Sequence, residues 1–108
     1  MRTTAPAHLS RYVKAWRRAM LDEYEFADPE LALLDEACEA LERARAAAAI
    51  VRADGMTTTD RYGGIKAHPC CALERDARAT FVRICRELGV REPADEEPVP
   101  GVTRLRGA

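Results

Sequence analysis

The chain has 108 residues and a mass of 12.0 kDa, room for one small domain and too little for two independent cores. Its hydrophobic fraction of 47% includes 20 alanines, so the larger apolar side chains are few for a self-sufficient monomer, while a net charge of only −1 argues against a disordered chain. No apolar run of about 18 residues is present to cross a bilayer, and no apolar stretch follows Arg2 to serve as a secretory signal, so the expected location is the cytoplasm, where thiols stay reduced.

Ala, Glu, Lys, Leu and Arg make up more than half of the chain, the composition of long helices that pack on other helices. The expected fold class is therefore all-α: a long antiparallel helical hairpin with an N-terminal helix and a short β-hairpin-like connector, completed by other copies of the chain. Residues 1–26 are expected to form a basic N-terminal helix and residues 27–89 the oligomerisation core, with a connector at 55–67. Residues 90–108 read as a flexible acidic and proline-rich tail.

The first helix is predicted from about His8 to Phe26. Leu9, Val13, Trp16, Met20 and Tyr24 recur at helical spacing and form an apolar stripe. Arg11, Lys14, Arg17 and Arg18 occupy the other side, with Asp22, Glu23 and Glu25 near the end. Bases first and acids last is the reverse of what the helix dipole favours, so the basic start needs another reason.

The second helix is predicted from Pro29 to Asp54, with Asp28 as N-cap and Gly55 as a left-handed terminator. Leu34, Ala37, Leu41, Ala44, Ala48 and Val51 form its apolar face, with Leu34, Leu41, Ala48 and Val51 expected at the oligomer core. Asp35, Glu39 and Glu42 read as a solvated acidic side, where Glu39 can pair with Arg43.

From Gly55 the pattern changes. Met56 to Thr59 favour a strand, Asp60 to Gly64 a turn, and Ile65 to Ala67 a returning strand, with Tyr62 and Ile65 expected to be anchored. The third helix is predicted to begin at His68-Pro69 and to end at Leu88-Gly89, with Leu73, Ala77, Phe81, Ile84 and Leu88 as its stripe. Its Arg75, Arg78, Arg83 and Arg86 are opposite in sign to the acids of the second helix, which suggests that charges align the pair. In the tail, Val99, Val102 and Leu105 could dock on a partner.

Chemistry-bearing residues are sparse. His68 lies beside Cys70 and Cys71, but adjacent cysteines lack the gaps of structural zinc pairs, and Cys38 and Cys85 read as small buried hydrophobes. No metal and no cofactor is expected. Two histidines, a single serine and no placed acidic pair supply no catalytic constellation, so an enzyme is not expected.

Taken in order, a tryptophan-bearing helix, a long helix opened by Asp28-Pro29, Gly55 with Met56-Thr57, and then Gly64-Ile65-Lys66-Ala67-His68-Pro69 leading into Leu73, Ala77, Phe81 and Leu88-Gly89 resemble the small terminase subunit of tailed bacteriophages, in the cohesive-end packaging branch. The resemblance spans about Leu9 to Gly89, and its most specific part is the connector motif of Gly64, Lys66, His68 and Pro69. The pattern departs after Gly89, where Val90-Arg91-Glu92-Pro93 stands in place of a serine- or threonine-proline segment. The resemblance implies a non-enzymatic ring that binds double-stranded phage DNA at the packaging start site and recruits and regulates the large terminase subunit. Arg11, Lys14, Arg17 and Arg18 are the expected DNA contacts, since a ring would concentrate their charge despite a pI near 6.1. A helical adaptor without nucleic acid and a small DNA-binding regulator are the alternatives left open by the residues themselves.

Overall fold

In a computed structural model, which describes residues 4–91 and Pro93, α1 (Arg11–Glu23), α2 (Asp28–Asp54), β1 (Thr57–Thr59), β2 (Ile65–Ala67) and α3 (Pro69–Leu88) follow in that order. The predicted helical architecture with its strand-like connector is what the chain adopts. Docking of Val99, Val102 and Leu105 lies outside the described residues.

α1 is shorter at both ends than the sequence suggests. Ser10 is extended and its hydroxyl accepts from the Val13 N–H at 3.4 Å, so the helix begins just after it, and the preceding residues close a turn from the Leu9 N–H to the Pro6 carbonyl. At the far end Asp22, Glu23 and Glu25 place negative charge at the negative end of the dipole, and Tyr24 turns extended. α2 begins one residue earlier than expected. Ala27, not Asp28, is the N-cap; the Glu30 carboxylate accepts from its N–H at 2.9 Å, the return half of a capping box whose other half an alanine cannot supply. Asp28 and Glu30 then sit in the first turn, where the dipole favours acids. Gly55 ends α2 at φ 91°, ψ 163°, outside the left-handed helical region that the sequence suggests and in a region essentially reserved for glycine.

In the connector, Thr57, Thr58 and Thr59 pair antiparallel with Ala67, Lys66 and Ile65. Asp60 holds the turn: one carboxylate oxygen accepts from the N–H groups of Tyr62 at 2.9 Å and Gly64 at 2.8 Å. Tyr62 and Ile65 are not anchored, being 85% and 77% exposed, because among the described residues nothing covers these two side chains. α3 starts on His68 and ends at Gly89, whose left-handed φ of 77° lets the N–H groups of Gly89 and Val90 both reach the Cys85 carbonyl.

The three helices share one core. Val13, Trp16 and Met20 of α1 meet Leu34, Ala37, Cys38 and Leu41 of α2 and Phe81, Ile84 and Cys85 of α3. Trp16 packs edge-on to Phe81 with ring centroids 5.1 Å apart, a geometry in which the positive ring edge meets a negative face. α2 and α3 share the most extensive packing, and α1 packs against α2.

Two expectations about this core are corrected. Leu34 and Leu41 are 0% and 1% exposed within a single chain, so they build the monomer's own core and are not open to a neighbour; Ala48 and Val51 are half-buried, and Leu73, near the connector, is 51% exposed. The acids of α2 are not a solvated face either. Asp35 accepts from Arg17 Nε at 2.9 Å, Glu39 meets His8 Nε2 at 2.7 Å, and Glu42 accepts from the Ser10 N–H at 2.9 Å. They clamp α1, while within α3 Arg78 pairs with Glu74 and Arg75 with Asp76, and Leu34, Ala37, Cys38 and Leu41 of α2 pack against Phe81, Ile84 and Cys85 of α3.

Because Arg17 is 2% exposed, Asp35→Ala strips a buried guanidinium of a principal counter-charge and is expected to cost about 3 kcal/mol, read by denaturant unfolding. Asp76→Ala, at an exposed pair, should stay within about 0.5 kcal/mol of wild type. Asp60→Ala should accelerate amide exchange across 57–67 with little change in global stability, since the turn is held locally; unchanged exchange would mean that the strand pairing holds the connector without it.

Candidate nucleic-acid interface

α1 presents its bases unevenly. Arg11, Lys14 and Arg18, spaced by three and four, are all exposed on one face. Arg17 is withdrawn from that set: its side chain runs inward to Asp35, where the carboxylate neutralises it, so it holds the helix instead of offering charge to a ligand. The exposed face borders an open cavity of about 1000 Å³, which continues past Leu21 to Phe26 and Leu31. Three bases on a helix docked by a buried ion pair form a fixed charged surface, and such a surface suits a polyanion.

The connector motif has a structural explanation. Gly64 is in close contact with the turn: a Cβ there would lie 2.9 Å from an Asp60 carboxylate oxygen. His68 is the N-cap of α3, its Nδ1 accepting from the Cys70 N–H at 3.0 Å. The ring proton is then on Nε2, which donates to Asp54 at 3.1 Å and links the end of α2 to the start of α3. Pro69 occupies the first turn of α3, and Lys66 points to solvent from β2. Gly64, His68 and Pro69 thus shape the link between the two long helices, with Lys66 and Arg61 as the exposed charges beside it.

Among the described residues no group of three or more His, Cys, Asp and Glu side chains is placed to hold a metal ion. Cys38 and Cys85 are buried, and Cys70 and Cys71 half-buried. Burial pushes the Cys38 thiol up to about 12, against the attraction of nearby Arg17 for a thiolate.

Sequence reasoning overlooked Arg45 and Arg52. They lie seven residues apart on α2, and the Arg45 guanidinium sits 3.6 Å from the Tyr12 ring centroid. The seven-residue spacing is present in the sequence, but Glu39 and Glu42 on the same helix mask it as a basic feature. Arg91 was overlooked too: it donates to Glu23 at 2.7 Å and fastens the end of α3 to the end of α1.

The family model described as phage terminase, small subunit, matches residues 14–97, most of the chain. No curated protein and no solved structure matches.

The Cys38 environment gives a pH dependence. Below about pH 9 the thiol is protonated both folded and unfolded; above it only the unfolded thiol ionises, so stability should fall as pH rises from 9 toward 12. Cys38→Ala should flatten that part of the stability profile, and thiol-reactive probes at pH 8 should modify Cys38 in the folded protein only at the rate of unfolding.

Proposed function

Because the chain belongs to the phage terminase small-subunit family, and so has its place in phage DNA packaging, we propose that it binds the packaging start site on viral double-stranded DNA and brings the large terminase subunit to it, itself catalysing no reaction. The observation that carries the DNA part is the exposed face of Arg11, Lys14 and Arg18 on a helix held in place by Arg17 and Asp35. These side chains reach phosphates, which position a protein on the duplex but carry no sequence information directly. Recognition of a particular start site then rests on the geometry of several copies along the DNA, on its shape and deformability, or on both.

Assembly into a ring in the host cytoplasm, in the manner of the cohesive-end branch, is part of the same reading. A ring multiplies three exposed bases per subunit into a positive surface that a chain with a net charge of −1 lacks as a monomer. Apolar side chains left outside the core, among them Met56, Ile65 and Leu73 around the connector, are available to a neighbouring subunit or to the large subunit.

Native mass spectrometry should give one defined oligomer above a dimer, and a stable monomer at micromolar concentration would remove the ring. Lys14→Ala/Arg18→Ala is expected to leave the oligomer intact, weaken duplex binding, and lower the slope of log K against log salt by about two. Unchanged affinity and slope would exclude the α1 face as a DNA contact.

A further inference from the structure

Just beyond the start of α1, where α2 runs on toward the connector, the three helices enclose a second open groove of about 600 Å³. Four arginines from three separate helices line it: Arg11 of α1, Arg45 and Arg52 of α2, and Arg78 of α3. Arg45 and Arg52 are two helical turns apart, about 10.5 Å along the same side of α2. Between them Ala48 and Ala49 form a floor whose short side chains let a bulky chain approach the helix closely.

Several features prepare this groove for an anion. The Tyr12 ring supports the Arg45 guanidinium from one side, which limits the rotamer freedom lost on binding. Both carboxylates in the lining are engaged within the protein, Glu42 by the Ser10 N–H and Glu74 by Arg78. Arg11 borders both cavities and joins this groove to the face of Lys14 and Arg18.

We propose that this groove is a second phosphate-contacting surface, which seats the backbone of duplex DNA on Arg45 and Arg52 and extends the α1 contact into one continuous positive band. The inference rests on the DNA-binding reading above and adds a surface to it. Continuity through Arg11 favours a long polyanion over a short acidic protein segment such as Asp95 to Glu97, which would need only one of the two surfaces.

The test titrates the full chain with a short fluorescent DNA duplex over a range of salt. Arg45→Ala/Arg52→Ala should weaken binding and lower the log–log salt slope by about 0.9 for each guanidinium removed, whereas Arg52→Lys should keep the slope. Arg52→Ala alone, whose side chain is exposed, separates loss of contact from any disturbance at Tyr12, with thermal melting as the fold control. If both alanine variants keep the wild-type slope while Lys14→Ala/Arg18→Ala loses affinity, the groove is overturned and the α1 reading stands. If wild-type protein shows no salt-dependent duplex binding, the reading beneath the proposal fails and the proposal with it. Loss of binding to a peptide of residues 91–108, with DNA affinity intact, would assign the groove to an acidic segment and overturn the proposal equally.

Discussion

The arrangement depends on one buried ion pair. A guanidinium with 2% exposure is expensive to desolvate, and Asp35, itself 25% exposed, meets Arg17 across the α1–α2 seam and offsets part of that cost. The pair fixes which side of α1 faces inward. Rotating α1 by one residue, about 100°, would separate the charges and turn Val13, Trp16 and Met20 away from the core. With α1 set in this way, Arg11, Lys14 and Arg18 face outward, and the Tyr12 ring meets Arg45. The exposed positive surface follows from the buried one.

The same pair accounts for the charge order of α1. Bases at the start of a helix and acids at its end oppose the dipole, and the loss is recovered elsewhere: Arg17 and the Ser10 backbone meet the acids of α2, and Glu23 meets Arg91. A helix unfavourable by itself is favourable against this neighbour. That is tertiary context overriding local preference.

The elements legible in the sequence were those set by local chemistry. Proline and glycine punctuation at Pro29, Gly55, Pro69 and Gly89 gave the two long helices, and three threonines before an Asp-to-Gly turn gave the small sheet. What the sequence hid was set by partners distant along the chain. The row Asp35, Glu39 and Glu42 has the spacing of a solvated face, and nothing near it reveals that His8, Ser10 and Arg17 lie opposite. Arg17 is one residue from Arg18 and chemically identical to it, yet 100° of helical rotation separates a buried strut from an exposed base. For the candidate site, Arg11, Lys14 and Arg18 are exposed on one face as expected and Arg17 is not, while the sequence carries the spacing of Arg45 and Arg52 but not the groove that α1, α2 and α3 line together.

The bridge between Arg91 and Glu23 joins residues 68 positions apart, whereas α2, the connector and α3 form an unbroken stretch of chain. Loop-closure entropy makes contacts of short sequence separation the quicker to form, so the Arg17–Asp35 pair, 18 positions apart, and the link from Asp54 to His68, 14 apart, are favoured to form ahead of this bridge. Arg91 then fastens the end of α1 from the C-terminal side. The element bearing the exposed bases is thus closed at its end by a long-range bridge between partly exposed side chains, and fraying at Glu23 and Arg91 is expected to have an opening free energy of its own, below that of global unfolding.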